Sequence, residues 1–338
     1  MRVPLDLKEY MMKRHYYIIK GIVLLAAMLL AACSSSDSDD SPVATSQNEI
    51  RITTNVTSMP SGTRATTIDN NTLQGYDLKI DAYFNGTETK FLDGKTLHYD
   101  SRWKFWAAGE EHYYWPFDGS TVTIEDVPTV ASTLDFVGFC PYDKPAYIGD
   151  PTYNHSTGVS FTCNMSSYMT LAQQSSMQEF LVSVLNEQTL ATQTSAGGAL
   201  PMVFKHPFAL IKFVITEASG TNVQINSISI SDLYSSGTCT YNGTAMTWSG
   251  QSGSTAMTIA QELKRGGTTA TTPFVVIPNN YGSKTLTVNA TWDDWSNVTV
   301  NVTANVDFNW EPGKIYTYNL TLAKYILIVD TQKYTEQW

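Results

Sequence analysis

The chain has 338 residues, with 21 Lys and Arg against 31 Asp and Glu, a formal net charge of −10. An acidic chain with no basic stripe has nothing to hold a phosphate backbone, so nucleic acid is excluded as a partner. Charged residues are only 15% of the total, and Thr, Ser, Asn, Val and Tyr dominate, as in an exported β protein whose outward positions are hydroxyls and amides.

The chain opens on an export signal. Lys13 and Arg14 form a positive start, Gly21 to Ala32 is an uncharged apolar stretch too short to span a bilayer, and Leu30-Ala31-Ala32-Cys33 closes it with small side chains. That pattern is a lipoprotein signal over residues 1–32, with Cys33 as the lipid-carrying first residue of the exported chain. Met1 to Tyr10 adds a charged preamble, and Met11 or Met12 is an alternative start. The run Ser34-Ser35-Ser36-Asp37-Ser38-Asp39-Asp40 cannot pack and serves as a solvated tether. Removing residues 1–32 leaves 16 basic and 29 acidic side chains, a net charge of −13, on a chain long enough for two domains.

Beyond the tether, Glu49 to Val56 alternates, with Ile50, Ile52 and Val56 on one face and Glu49, Arg51 and Asn55 on the other. This is a strand with one buried face. Met59 to Thr67 follows as a Pro/Gly/Ser/Thr loop holding Arg64, a place where a protease would cut. Strands then recur at Tyr76 to Phe84, Arg102 to Trp106, Glu111 to Trp115, Thr121 to Ile124, Leu134 to Phe139, Gly158 to Cys163 and Glu179 to Leu185. Asn85-Gly86, Asp93-Gly94 and Asp118-Gly119 read as turns between them. Met165 to Met177 is weak helical material, and the polar, Gly-ended Asn186 to Gly198 reads as a long loop near a domain boundary.

The second half repeats the style with Val203-Phe204, Ala209 to Thr216, Val223 to Ile230, Thr238 to Tyr241, Met246 to Trp248, Phe274 to Ile277, Leu286 to Trp292, Val298 to Val306 and Lys314 to Leu322. The pattern predicts an all-β fold of two tandem antiparallel β-sandwiches with Greek-key connections. The tail does not fit a closed sandwich. Tyr325, Ile326, Leu327, Ile328 and Val329 are apolar at every position, so both faces want burial, and Tyr334 and Trp338 follow on one face. Such a segment has no obvious place at home and seeks another chain's sheet edge; the alternative is that it folds back as an edge strand of its own sandwich.

Five segments carry a family resemblance: Trp106-Ala107-Ala108-Gly109 running into Tyr113-Tyr114-Trp115-Pro116, Phe136 to Pro141, Phe204 to Phe213, Phe274 to Pro278, and Trp310 to Tyr318. In this order they resemble the fimbrillins, the FimA-type shaft pilins of type V pili. The resemblance covers most of the exported chain and implies a transthyretin-like two-sandwich fold. It also implies a polymerisation cycle. An outer-membrane lipoprotein precursor, anchored through Cys33, is cut between Arg64 and Ala65 by an arginine-specific protease, the first strand leaves, and its groove receives the C-terminal strands of a neighbouring subunit. The layout is then signal peptide 1–32, tether and removable strand 33–64, N-terminal sandwich 65–190, C-terminal sandwich 199–322 and donor segment 323–338. The partners implied are other copies, anchor and tip subunits, the protease and, for the precursor, the outer membrane. The end state is a surface fimbrium that supports adhesion. From Ala65 the subunit would carry 14 basic and 25 acidic side chains, net −11. Having both cut site and donor favours a shaft subunit over a tip or anchor one.

A second class, a surface glycan-binding lipoprotein of a polysaccharide-uptake system, rests on Trp103, Trp106, Trp115, Tyr113 and Tyr114, which would stack on sugar rings if exposed and fill the core if not. An enzyme is the weakest reading, since no nucleophile elbow, zinc-binding His-Glu-x-x-His, Cys-x-x-Cys or phosphate-cradling Gly loop occurs. No catalytic, cofactor or metal residues are expected. His206 reads as a hydrogen-bonded structural histidine. Cys140, Cys163 and Cys239 read as small buried residues with no disulfide framework.

Overall fold

Alternating apolar and polar residues set most of the strands. In the computed structural model the described residues are 49–56, 68–101, 105–107, 113–115, 122–124, 127–130, 133–218, 222–261, 263, 267–293, 298–330 and 334–338. Cys33, Arg64 and Ala65 lie outside them. In chain order come β1 (Ile52–Val56), β2 (Leu78–Phe84), β3 (Lys90–Asp100), β4 (Phe105–Ala107), a hairpin of β5 (Val122–Ile124) and β6 (Val127–Val130), and β7 (Leu134–Cys140). Next are β8 (Thr152–Asn154), β9 (Gly158–Asn164), β10 (Leu181–Gln188) and β11 (Leu200–Phe204), with short helices at Leu171–Gln174 and Leu190–Ser195. The last part holds β12 (Ala209–Glu217), β13 (Val223–Tyr241), β14 (Met246–Ile259), β15 (Thr268–Ala270), β16 (Phe274–Val276), β17 (Asn280–Trp292), β18 (Thr299–Asn309), β19 (Lys314–Ala323), β20 (Ile326–Val329) and β21 (Tyr334–Gln337).

Seven strands form one sheet in the order β10-β7-β2-β3-β4-β1-β11. Its ends meet at a single bridge, where Val182 and Lys205 exchange backbone hydrogen bonds of 3.1 and 2.9 Å. The sheet thus bends around a core that includes Ile52, Leu78, Trp106, Phe136 and Phe204. Two six-stranded sheets and the β5–β6 hairpin make the rest. One runs β15-β12-β19-β20 with β16 and β21 also attached, the other β18-β17-β13-β9-β8 with β14. Phe213 and Leu320 of the first and Ile228 and Val288 of the second share one hydrophobic core, so these two sheets sandwich it. Two pairings are parallel, β1 with β11 and β12 with β19; the others between these strands are antiparallel.

The two cores are joined through β7 and β10. Every residue of β7 is buried, because Phe136 faces the first core while Val137 and Phe139 face the second. Residues 47–338 accordingly cluster as one compact unit. Strand pairing also crosses the limits expected from the sequence, 65–190 and 199–322. Gly158–Asn164 pairs with β13 in the second half, and Leu200–Phe204 pairs with β1 in the first. The chain visits the far sheet before it finishes the near one, which a left-to-right reading of strand patterns cannot register.

Candidate functional site

β1 sits inside a sheet with very unequal neighbours. On one side it runs parallel to β11 in continuous register, from Ile52 opposite Leu200 to Val56 opposite Phe204. On the other its ladder partner is β4 at Ile52 opposite Trp106. As the alternation predicts, Ile50, Ile52 and Val56 are buried, Ile52 completely. Three such side chains bring a gross gain of roughly 5–9 kcal/mol.

Polar contacts fix the register. The Trp106 Nε1–H donates to Thr54 Oγ1 at 2.7 Å. Gln193, on the short helix Leu190–Ser195, donates from Nε2 to the Glu49 carbonyl at 2.7 Å and accepts at Oε1 from the Arg51 N–H at 3.2 Å and the Trp115 Nε1–H at 3.1 Å. Arg51 pairs with Glu49 through Nε and Nη2 at 3.1 and 3.0 Å. The helix was not anticipated in the Asn186 to Gly198 segment. Its signal is a capping box, in which Thr189 and Thr192 satisfy each other's backbone N–H groups.

The chain is pinned on either side of residues 57–67, which lie outside the described residues. Asn70 accepts the Val56 N–H at 2.7 Å and donates to the Val56 carbonyl at 3.1 Å, holding the end of β1. The Ile68 N–H donates to the buried Glu179 carboxylate at 2.7 Å.

The C-terminal tail is seated at home, on an edge of its own sandwich, the alternative that the sequence left open beside a donor role. β20 pairs antiparallel with one end of β19, Ile326 opposite Ala323 and Val329 opposite Leu320. β21 pairs with the other end, Tyr334 opposite Thr317 and Gln337 opposite Lys314. The seat satisfies only one face. Leu327 is buried, while Ile326 and Ile328 are 58% and 52% exposed. Tyr325 makes the turn into β20 at φ 58°, left-handed backbone that a tyrosine adopts at a cost of about 1–2 kcal/mol. Its ring lies 5.0 Å from that of Trp292.

The last residue holds the tail down. Trp338 is buried, its N–H donates to the Gly313 carbonyl at 2.8 Å, and its indole stacks on the His206 ring with centroids 4.3 Å apart and planes 11° from parallel. Lys314 Nζ donates to Gln337 Oε1 at 2.6 Å. His206 is therefore a stacking platform and not the hydrogen-bonded residue expected. Its Nε2 is buried without a hydrogen bond, and Nδ1 stands 3.8 Å from Glu179 Oε2, beyond hydrogen-bond reach. Burial pushes the imidazole down to about 3. The side chain of Tyr334 lies outside the described residues.

The aromatic cluster is mostly core. Trp106 and Trp115 are buried, and Tyr114 is exposed at 46%; Trp103 lies outside the described residues. Cys140, Cys163 and Cys239 are buried free thiols, and burial pushes each pKa up.

An all-β sandwich protein with one strand pinned inside a sheet, and a tail seated on an edge by its last residue, is the class these features define. A fimbrillin-like family model matches residues 127–338, more than half of the chain, and the chain belongs to that family. Among solved structures it is similar to a fimbrial protein from Bacteroides vulgatus, at 14% identity and a TM-score of 0.55, over 86% of this chain and 100% of that one. It is also similar to a protein described as a candidate cell adhesion protein from Bacteroides uniformis, at 16% identity and a TM-score of 0.50, over 86% of this chain and 99% of that one. At such identities these two likenesses speak for the fold alone. No curated protein matches the chain by sequence.

Proposed function

We propose that the chain is a fimbrial subunit that polymerises by exchanging strands, with β1 as the strand that leaves and the tail from Tyr325 to Trp338 as the strand that replaces it. Cys33 carries the lipid of the precursor. Cleavage between Arg64 and Ala65 by an arginine-specific protease then frees residues 33–64 from the body. The observation that carries the reading is the seat of β1: three buried side chains and a full ladder with β11, on a strand whose onward connection is the loop expected to be cut. Once that connection is broken, β1 is held only by noncovalent contacts.

The tail supplies a matching half. It is seated by one face and a terminal indole, and it exposes Ile326 and Ile328. Main-chain pairing supplies affinity in such an exchange, and alternate side chains supply fit. The contact is head-to-tail and does not close, so it grows a filament instead of a ring. Presence of both the cut loop and the tail favours a shaft role.

The test is the N-terminal residue of the protein sheared from its native cell surface, read by mass spectrometry beside its polymer state in mild detergent. A start at Ala65 in heat-labile ladders supports the reading. A lipidated Cys33 start in a monomer overturns it and favours an anchor subunit or a glycan-binding lipoprotein.

A further inference from the structure

We propose that the tail of a second copy fills the place of β1 in one fixed register, residues 326–331 taking the positions of residues 49–54, and that the buried indole of Trp106 selects it. The inference rests on the strand-exchange reading above and deepens it.

The place that residues 49–52 occupy is covered on both faces. Ile50 and Ile52 point into the core, while on the other face Glu49 is 4% exposed and the Arg51 side chain 17%. An alternating strand uses that place with an ion pair on its second face. A strand apolar on both faces fits it without one, and is poorly served at home, where Ile326 and Ile328 face water.

Two protein groups then divide the work of recognition. Gln193 touches only the backbone of Glu49 and Arg51, so its clamp accepts any side chains. Trp106 does not. Its buried N–H finds its acceptor in a side chain, Thr54 Oγ1, and departure of β1 removes that acceptor. An incoming strand that leaves a buried donor unmet is penalised against one that meets it.

Read in the direction of β1, Leu327-Ile328-Val329-Asp330-Thr331 lies against Ile50-Arg51-Ile52-Thr53-Thr54. Leu327 and Val329 enter the inward sockets of Ile50 and Ile52, and the Thr331 hydroxyl reaches the indole. Shifting the tail by one residue puts the Asp330 carboxylate on Trp106 in one direction and in the Ile52 socket in the other, burying a charge either way. Reversing it with Thr331 on Trp106 drives Lys333 into the fully buried socket of Ile52. The same-direction register avoids both over residues 326–331 and meets a charge only at its end, where Lys333 falls on the buried Val56 position, the last of β1.

The test is assembly of the exported chain after cleavage at Arg64, confirmed by its new N-terminus. Thr331→Val is expected to slow assembly about tenfold, the factor a lost hydrogen bond of that kind gives. Thr331→Ser should restore it, and Asp330→Asn should change it less than about twofold. In a Trp106→Phe chain, Thr331→Val should bring no further loss. A synthetic peptide of residues 325–338 competing for the cut wild-type protein gives the same comparison without reliance on folding of variants; its Thr331→Val form should compete about tenfold less. A larger effect of Asp330→Asn than of Thr331→Val, or an equal Thr331→Val penalty with and without the indole, overturns the register and leaves strand exchange standing. Cut protein that stays monomeric and takes up no peptide overturns strand exchange, and the register with it.

Discussion

β1 and the C-terminal tail are both short, apolar strands near an end of the described chain, and the protein treats them differently. β1 has its alternate side chains in a core and its backbone clamped by Gln193 and Asn70. The tail borrows two ends of β19, leaves two isoleucines in water and relies on Trp338. The difference shows which partner is easier to dislodge from its own body. β1 is held along its backbone and by buried side chains, whereas the tail is held along the edge of β19, by Leu327 and by the indole of Trp338.

The sharpest way to break the comparison is to charge each strand. Ile52→Asp puts a carboxylate at a fully buried position, and should destabilise the chain by more than about 4 kcal/mol, enough to prevent folding of the first sheet. Ile328→Asp, at a position more than half exposed, should change the unfolding free energy measured in urea by no more than about 0.5 kcal/mol. Equal effects in urea melts would mean that the two strands are seated alike.

Next comes Trp338→Ala, which removes a fully seated indole and its stack on His206. A loss of about 3 kcal/mol is expected to fall on the tail. Hydrogen exchange read peptide by peptide should show residues 326–337 losing protection while residues 50–56 keep theirs. Loss in both places would make the seat of β1 dependent on the tail.

A smaller effect comes from pH. His206 is neutral in the folded protein, its pKa pushed down to about 3 by burial, against about 6.5 when unfolded. Between those values the unfolded chain binds the extra proton, so the stability this residue contributes is whole above about pH 6.5 and is lost as pH falls. From pH 7 to pH 5 the loss is about 2 kcal/mol. His206→Phe keeps a ring under Trp338 and removes the titration. Its stability should fall less over this interval than that of the wild-type protein, and parallel curves would show that the imidazole is reached by water.

The sequence carries these features unevenly. Ile50 to Val56 was legible in part: the structure buries Ile50, Ile52 and Val56, the face the alternation marks, but it also covers Glu49 and Arg51 on the face expected to be wet. The tail was not, since a run apolar at every position does not say which face will be left wet. Lys90–Asp100 escaped because Asp93-Gly94 imitates a turn. Gly94 instead sits inside the strand at φ 55°, at an irregular stretch of the ladder with β2, where its N–H is taken by Asp81 Oδ1 at 2.7 Å. The two short strands expected at Val223 to Ile230 and Thr238 to Tyr241 are one strand of 19 residues. Asp232 at φ 56° and a second break near Gly237 are bulges that mimic loop composition. Gln193 is the clearest omission at the candidate site. A polar residue in a Gly-ended segment looked solvated, and only the Thr189–Thr192 cap hinted at the helix that buries it.

The smallest expected effect on stability separates folding from assembly most cleanly. Ile326→Ser with Ile328→Ser alters two side chains that are more than half exposed, so each should cost less than about 0.5 kcal/mol and leave secretion and melting unchanged. In the place of β1 the same two positions correspond to Glu49 and Arg51, which are covered, and there each isoleucine would bury area worth about 1.5–3 kcal/mol. A double variant that folds normally, is cut normally and yet forms few or no ladders would locate the value of those isoleucines in the neighbour's sheet. Normal ladders would mean that the second face of the tail stays in water after exchange as before it, and that an all-apolar strand serves only its home edge.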